Sequence, residues 1–504
     1  MHTDRFTPLD AATLLRWMQH DLPNKQLFGI DRELFFMPKP DDPFRMERYG
    51  KVLETPLGVA AGPHTQLAQN ILSAWLCGAR YIELKTVQVL DELNVAKPCI
   101  DMADEGYNCE WSQELKLDQS FEEYLKAFVL LYVLRDMLNL PVEAEPGKGP
   151  GFIFNMSAGY NLEGIKSPAV QRFLDRMENA EEDVKRIKAG LAPLYPAIEK
   201  MPIPARLSDN LTVSTMHGCP PDEVESIGRY FITERKYNTA IKLNPTLLGP
   251  ERLRDILNTQ LGYDVCVPDE AFGHDLKYND GVAIIRNLAA AAETAGVAFG
   301  LKLTNTLETA NEKQNLPRSE GMVYMSGRSL HPISINLAER LQQEFDGKLD
   351  IAFSAGVDTF NVADTLACGL RPITMSSDIL KPGGYGRLHQ YLDTLRAEMR
   401  KAGAHTIAEW EKSRSPIAGN PGFANLVSYA AAVLGKHSRY HKERFPYVSV
   451  KTERPLPRFD CAAAPCMSGC PAEQDIPRYL DAVARGDFEL AWRVITATNP
   501  FPNV

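Results

Sequence analysis

The sequence lacks the features of several classes of protein. No uninterrupted apolar run reaches the ~18 residues that a membrane-spanning helix needs. The opening MHTDRFTPLD has no basic segment followed by an apolar one, so no signal peptide is predicted. Lys and Arg number 55 against 65 Asp and Glu, which gives a formal net charge of −10. With no basic run, neither a nucleic acid nor an anionic membrane is an expected partner.

The cysteines do not form the pattern of a secreted disulfide framework. There are nine, an odd number, and six of them are scattered singly along the chain. The other three lie close together near the end, at Cys461, Cys466 and Cys470. Such usage is typical of a reducing compartment, so we expect a cytoplasmic protein.

Between about residues 50 and 395, short β-rich runs alternate with helical stretches. Most of the runs are continuously apolar, which is typical of parallel strands covered on both faces. The eight predicted strands are LGVAAG (57–62), GARYIELKT (78–86), GFIFNMS (151–157), NLTVSTM (210–216), NTAIKLNP (238–245), AFGLKLTN (298–305), DIAFSAG (350–356) and RPITMSS (371–377). Residues 119–138 and 362–370 read as two of the intervening helices.

This alternation predicts an α/β fold with a (β/α)₈ TIM barrel, and the three clustered cysteines predict a small α-helical iron–sulfur domain after it, incomplete in its ligands. A doubly wound sheet is the alternative, but no G-x-G-x-x-G follows a strand. The predicted units are a cofactor-binding barrel over residues 1–395, a helical linker over 396–456 and the start of the iron–sulfur domain over 457–504. The stretch from about 87 to 150 is expected to fold over the barrel mouth, although a surface elaboration is equally compatible with it.

The clustered cysteines Cys461, Cys466 and Cys470 have the spacing C-x₄-C-x₃-C-P. Soft thiolates grouped in this way suit an iron–sulfur cluster or zinc. Pro471 directly after the last cysteine favours a cluster loop over a zinc ribbon. Zinc and three unrelated thiols remain the alternatives. A [4Fe–4S] cluster needs four thiolates, so this ligand set is incomplete.

The ends of the predicted strands carry small residues and two lysines. Gly356, Ser376 and Ser377 follow strands seven and eight, where barrels often bind a phosphate through backbone amides and hydroxyls. Lys85 and Lys242 place positive charge near the same cavity. A reduced flavin is anionic at a ring nitrogen, and such a charge would stabilise it.

The ordered set of motifs resembles the dihydroorotate dehydrogenase family and, within it, the pyrimidine-reducing domain of dihydropyrimidine dehydrogenase. PLGVAAG resembles the first-strand flavin loop, and the resemblance extends over about residues 50–395. It implies an FMN cofactor and assigns the flavin contacts to Ala60, Ala61, Gly62, Lys85, Thr86, Asn155, Lys242, Asn305, Ser326, Gly327, Gly356, Ser376 and Ser377.

The same resemblance implies a substrate site. It assigns substrate contacts to Asn94, Asn305 and Thr306. HGCPPDE (217–223) is similar to the family's Cys-Pro catalytic loop, which makes Cys219 the catalytic acid/base beside Lys85. Met216 stands where the family has an asparagine. A small buried core thiol is the alternative interpretation of Cys219, and His217 is the competing proton carrier.

The tail extends the resemblance. GCPAEQDIP followed by NPFP is similar to the iron–sulfur domain of the glutamate synthase small subunit and of dihydropyrimidine dehydrogenase. A barrel followed by a cluster domain resembles the YgfK family of flavin and iron–sulfur oxidoreductases, in which an FAD/NADPH domain comes next. We therefore expect the N-terminal part of a longer polypeptide, with FAD, NADPH and the remaining cluster ligands further along it.

The resemblance implies a function. Electrons from the downstream NAD(P)H/FAD module, or from partner subunits, pass through a 4Fe–4S cluster and FMN. The barrel then reduces or oxidises a small cyclic amide-like substrate, similar to a purine or pyrimidine. Two alternatives stay open. One is a non-flavin lyase that forms a Schiff base through Lys85 or Lys242, and the other is a non-catalytic electron-transfer scaffold.

Overall fold

Eight parallel strands close into a barrel in the order in which they occur in the sequence. The computed structural model describes residues 6–87, 99–101, 107–108, 115–214, 218–312, 316, 320–381, 383–415, 419–444, 466, 470–472, 474–484 and 486–502. The barrel strands are β1 (Leu57–Val59), β2 (Tyr81–Glu83), β3 (Ile153–Ala158), β4 (Asn210–Val213), β5 (Asn238–Leu243), β6 (Phe299–Leu303), β7 (Ile351–Phe353) and β8 (Ile373–Met375).

The barrel is closed by β8 and β1, where Thr374 pairs with Gly58 and Met375 with Val59. Each of the eight apolar runs contributes one strand, so the predicted TIM barrel is confirmed. The runs are apolar on both faces because one face packs inside the barrel and the other meets the helices. A helical region follows the barrel, as predicted.

One principal helix follows each strand. These helices are α1 (Ala68–Leu76), α2 (Leu117–Met137), α3 (Pro168–Glu178), α4 (Pro221–Thr233), α5 (Tyr278–Ala295), α6 (Leu330–Glu344), α7 (Val362–Ala367) and α8 (Arg387–Lys401). The predicted helix 119–138 corresponds to α2, which is buried on nearly all sides. Glu123 within it accepts a hydrogen bond from the first backbone N–H of α1, at 2.8 Å from Ala68 N.

Shorter elements fill the connections. The other α-helices are Ala11–Asp21, Leu162–Ile165, Glu181–Leu191, Pro250–Arg254, Asp269–His274, Ile407–Arg414, Pro421–Ala432, Ile476–Ala484 and Phe488–Thr498, and Asp255–Gln260 is a π-helix. The 3₁₀ turns are Leu22–Asn24, Arg32–Leu34, Pro63–Thr65, Pro196–Lys200, Pro245–Leu248, Ser377–Leu380, Gly384–Gly386 and Lys442–Arg444. Gln26–Leu27 pairs with Ile30–Asp31, and Met46–Arg48 with Lys51–Leu53.

The loops after β2 and β6 meet in a second sheet, which we call the mouth sheet. It consists of Leu307–Ala310, Met322–Met325, Ile100–Asp101 and Tyr107–Asn108. Asp101 O accepts from Ser326 N at 2.8 Å, which continues the pairing of these two mouth-sheet strands by one residue, and Ser326 lines the cavity at the carboxyl ends of the barrel strands. The long connection 87–150 therefore supplies two strands at the mouth as well as helix α2.

The helices after β8 continue the barrel's packing. Helix α8 runs through residue 395, the predicted end of the barrel unit, and Pro421–Ala432 packs against α6. The proposed boundaries at 395 and 456 stay predictions. Within the part of the chain that the structure describes, no helix combines the length and apolarity needed to cross a membrane.

Candidate functional site

A cavity opens at the carboxyl ends of β1, β5, β6, β7 and β8. Nine of the residues predicted to bind cofactor or substrate line it: Ala60, Ala61, Lys242, Asn305, Thr306, Ser326, Gly356, Ser376 and Ser377. They come from five different strand ends, far apart in sequence. Parallel strands in a closed barrel bring such ends together, and this face is where TIM-barrel sites lie.

The loops after β7 and β8 form the part of the cavity suited to an anion. Gly356 has φ +53°, and a Cβ added there would lie 2.4 Å from Gly327 O, so only glycine fits. Ser326 Oγ and Ser377 Oγ are 2.7 Å apart and both line the wall. Small residues leave backbone N–H groups and hydroxyls within reach of a phosphate, so the local geometry fits the group that the sequence predicts.

Buried hydrogen bonds hold the loop after β7 in place. Asn361 Nδ2 donates to Gly356 O at 3.0 Å, and His331 Nδ1 donates to Ala355 O at 2.7 Å. His331 Nε2 then accepts from the hydroxyl of Tyr429 at 2.9 Å. Burial is the main reason that the pKa of His331 falls to about 4, so the imidazole is neutral at pH 7. The loop is thus fixed before any ligand binds.

One carboxylate, Asp378, also lines this end of the cavity. Arg387 donates to both of its oxygens, at 2.8 and 3.0 Å, and Tyr391 and Lys381 contact it as well. Burial alone would raise the pKa of Asp378, but the hydrogen bond from Arg387 and the charge of Lys381 keep it below the usual range. These cations neutralise the carboxylate beside the anion-binding loops.

A buried ion pair lies under the cavity and was not predicted from the sequence. Lys302 on β6 contacts Glu83 on β2 and the hydroxyl of Thr374 on β8, all inside the barrel. Glu83 Oε2 also accepts from Ala61 N at 3.3 Å, which ties the pair to the cavity wall. Burial lowers the pKa of Lys302 despite the opposing charge of Glu83. Charged residues inside the apolar runs YIELKT and FGLKLTN were the available signal.

Several other predicted residues lie beside the cavity lining. Lys85 and Thr86 directly follow Leu84 at the end of β2, where Lys85 is buried and Thr86 Oγ1 lies 2.8 Å from Ser157 Oγ. Gly62 and Gly327 follow lining residues in their loops. Asn94 lies outside the described residues.

Asn155 sits apart from the other predicted cofactor contacts. Its side chain is fully buried within the barrel, where it donates to Asn210 Oδ1 at 2.7 Å and accepts from Thr212 Oγ1 at 2.8 Å. These partners belong to β4, the neighbouring strand, so the described role of Asn155 is to join β3 to β4. It does not line the cavity.

Cys219 lies half-buried on the loop after β4. Gly218 N donates to Asp275 at 3.3 Å, and Asp275 also accepts from the Thr246 hydroxyl at 2.7 Å, so this loop is anchored to the loops after β5. Pro221 begins helix α4 two residues later, which fixes the backbone beyond the thiol. Met216 and His217 lie outside the described residues.

The predicted cluster cysteines are only partly described. Cys466 is exposed, Cys470 is half-buried, and Cys461 lies outside the described residues. No group of three metal-ligating side chains was found among the residues whose placement the structure gives. The three-cysteine ligand set therefore stays a prediction from spacing.

The fold and cavity define a TIM-barrel protein with its site at the carboxyl ends of the strands, joined to a helical segment. Residues 28–418 match the family model described as oxidoreductase YgfK, N-terminal TIM-barrel domain. Because the match covers most of the chain, the chain belongs to this oxidoreductase family. Residues 448–504 match a second model, described as dihydropyrimidine dehydrogenase domain II, 4Fe-4S cluster.

Curated relatives agree with this assignment. The chain is 40% identical over 501 residues to the oxidoreductase YgfK of Escherichia coli strain K12, and equally to that of Escherichia coli O157:H7. The alignment covers 95% of this chain and 46% of each relative. The chain thus spans about half the length of the curated relatives that it matches.

Solved structures of DHODH from Eimeria tenella are also similar to this chain. The ligand-free structure has a TM-score of 0.44 at 17% identity and covers 74% of this chain and 92% of its own. The complex with ferulenol has a TM-score of 0.45 at 16% identity, and the match covers 82% of this chain and 96% of the DHODH chain.

Proposed function

We propose that this chain is the FMN-binding and iron–sulfur module of an oxidoreductase that acts on a small cyclic amide-like substrate. The observation that carries the proposal is the single cavity shared by the rigid loops after β7 and β8 and by Lys242, Asn305 and Thr306. The loops after β7 and β8 offer an anion site for a flavin phosphate. Lys242, Asn305 and Thr306 offer a cation, an amide and a hydroxyl for polar ring edges.

The chain's own residues have distinct tasks in this proposal. Gly356, Ser376 and Ser377 bind the phosphate and so fix the depth of the cofactor in the mouth. Lys242 places its positive charge near the ring system and stabilises negative charge there. FMN, when bound, supplies the exchange of a hydride with the substrate.

Asn305 and Thr306 would orient the substrate. They follow β6 directly, and Asn305 N donates to Leu243 O at 3.0 Å, which holds the pair against the end of β5. Asn305 Oδ1 also accepts from Thr306 N at 3.1 Å. An amide and a hydroxyl held in this way can pair with the carbonyl and N–H edges of a purine-like or pyrimidine-like ring.

Cys219 would move the proton. Addition of a hydride to one face of a double bond requires a proton at the neighbouring atom, and the donor must lie within about 3–4 Å of it. The bond from Gly218 N to Asp275 and the start of α4 at Pro221 support a fixed backbone on both sides of this residue. Lys85, on the loop after β2, adds positive charge near the cavity.

The electron route belongs to the same proposal. Cys461, Cys466 and Cys470 would supply three ligands of a 4Fe–4S cluster, and a downstream NAD(P)H/FAD module or a partner subunit would supply the electrons. The match of residues 448–504 to a 4Fe-4S domain supports this part. Soft thiolates are the ligands that such clusters prefer.

Anaerobic purification of the full-length protein tests the proposal. We expect FMN in the cofactor extract and reoxidation of the reduced flavin by a purine-like or pyrimidine-like acceptor. A protein without flavin that is trapped by borohydride and a carbonyl compound at Lys85 or Lys242 would instead be a Schiff-base enzyme. A protein with neither property would be an electron-transfer scaffold.

A further inference from the structure

The loop after β1 holds a buried imidazole that makes no hydrogen bond within the described structure. His64 is 7% exposed, and neither Nδ1 nor Nε2 has a partner. Buried polar groups are nearly always paired, because leaving one unpaired costs free energy. His64 follows the cavity-lining Ala61 by three residues, so a ligand bound in the cavity can supply the partner that its imidazole lacks.

The backbone around His64 is fixed independently of its ring. Gly62 N donates to Thr65 Oγ1 at 3.2 Å, and Thr65 N donates to Gly62 O at 2.9 Å. The Tyr385 hydroxyl donates to His64 O at 2.8 Å. These contacts fix the backbone that carries the imidazole, and none of them uses its two nitrogens.

Gly62 makes room for this ring. A Cβ at residue 62 would lie 2.5 Å from Cε1 and 2.7 Å from Nδ1 of His64. The φ of Gly62 is −168°, an extended conformation that any residue adopts, so backbone strain does not explain the glycine. Close packing of residue 62 against the imidazole explains why a glycine stands there.

The surroundings keep the ring neutral. Burial and the nearby charge of Lys85 lower the pKa of His64 to about 4, while the backbone of Ala60 opposes them without reaching hydrogen-bond geometry. At pH 7 one nitrogen is a donor and the other an acceptor. Ala60 and Ala61, which precede this loop, line the cavity.

We propose that His64 contacts the ring system of bound FMN and gives it one hydrogen bond. This inference rests on the proposed flavin site. If the loops after β7 and β8 hold the phosphate, the ring system would lie within the same cavity, whose wall also includes Ala60 and Ala61 from the loop after β1. The flavin ring carries both carbonyl and N–H groups, and either kind can pair with a neutral imidazole.

His64→Phe tests the inference in the full-length protein. The variant loses no internal hydrogen bond, so the melting temperature of the apoprotein should stay level or rise. The Kd for FMN should increase about threefold to tenfold, the value of one hydrogen bond, and the absorption spectrum of the bound flavin should shift. His331→Phe is the matched control, because both of its nitrogens are bonded and its loss should lower the apoprotein melting temperature.

Gly62→Ala provides an independent arm. It keeps both imidazole nitrogens but displaces the ring, so it should weaken FMN binding about as much as His64→Phe, and the two changes should not add. His64→Gln, which retains a donor and an acceptor, should recover part of the affinity.

Two results would overturn the inference while the flavin site stands. One is an unchanged Kd and spectrum in His64→Phe, and the other is a lowered apoprotein melting temperature, which would indicate a structural role. A wild-type protein that binds no FMN overturns the flavin assignment and this inference together.

Discussion

The barrel mouth and the C-terminal helix pair, Ile476–Ala484 and Phe488–Thr498, differ in how far contacts within the chain hold their residues in place. At the mouth, Gly356 and its neighbours are fixed by buried hydrogen bonds from Asn361 and His331. The helix pair instead exposes large apolar side chains, with Phe488 68% and Trp492 48% exposed. The mouth is organised before a cofactor binds, whereas the predicted cluster cysteines near the helix pair would depend on a metal to hold them together.

The largest expected effect is at the most rigid point of the mouth. Gly356→Asp, alone or with Ser376→Asp, should weaken FMN binding at least about 100-fold, because backbone strain and a clash with Gly327 O add to repulsion of the phosphate. FMN stoichiometry after gel filtration measures it. Gly403→Asp is the control, since that glycine has φ +68° but open space around it. Full FMN content in the Gly356 variant would contradict the placement of the phosphate.

The next effect concerns chemistry at the mouth. Cys219→Ala should keep FMN but slow the half-reaction with a substrate by about 10²–10⁴-fold, the usual contribution of general acid–base catalysis. Stopped-flow reoxidation of the reduced flavin measures this rate. Cys266→Ala, at an exposed cysteine, is the control. If Cys219→Ala reacts at the wild-type rate and His217→Asn does not, the proton carrier is His217.

The buried ion pair under the cavity tests whether the rigidity of the mouth depends on the barrel interior. Lys302→Met should lower the free energy of unfolding by about 3–5 kcal/mol, because it leaves Glu83 buried without its cation. Urea denaturation measures the loss, and adding Glu83→Gln should recover much of it. Lys148→Met, at an exposed pair with Glu47, should cost less than about 1 kcal/mol. Equal losses of unfolding free energy in the two lysine variants would show that burial of the ion pair inside the barrel does not increase its effect on stability.

The pH dependence of the free energy of unfolding should come from the barrel mouth and not from the helix pair. The pKa of His331 is about 4 in the fold against 6.5 unfolded, so the neutral form is favoured on folding. This stabilisation is present above pH 6.5 and is lost as the pH falls from 6.5 to 4, by about 3 kcal/mol. The helix pair contains no histidine and cannot contribute to this loss. Unfolding free energies of His331→Gln should fall less steeply over that range, whereas His20→Gln, at an exposed ring, should match the wild type.

The two regions also differ in what the sequence could predict. Continuous apolar runs predicted all eight strands, and small residues and a lysine at their ends predicted four of the nine cavity residues, because strand ends in a closed barrel must meet. The other five, Ala60, Ala61, Asn305, Thr306 and Ser326, came from the resemblance to a known family. The Glu83–Lys302 pair was missed, because a charged residue inside each apolar run indicates an unusual position but does not show that β2 and β6 face each other across the barrel. The assignment of Asn155 to the cofactor stays a prediction, and its side chain is buried beside Asn210 of the neighbouring strand.

Removal of residues 445–504 should have the smallest effect on FMN binding, and it tests the comparison between the two regions most directly. Every cavity-lining residue and every described contact that supports it lies before residue 445, the last being Tyr440 with Asn361 at 2.9 Å. We therefore expect an FMN Kd within about twofold of the wild type, since surface changes away from a site are usually worth less than about 0.5 kcal/mol. Iron should disappear from the shortened protein.

The intact chain gives the matched control for that truncation. Cys466→Ser with Cys470→Ser should remove the iron and leave FMN binding unchanged. Metal analysis of residues 1–504 alone should find fewer than four irons, because only three clustered thiolates are present in them. Loss of FMN on truncation would show that the mouth depends on the C-terminal segment, and four irons per chain would show that its ligand set is complete.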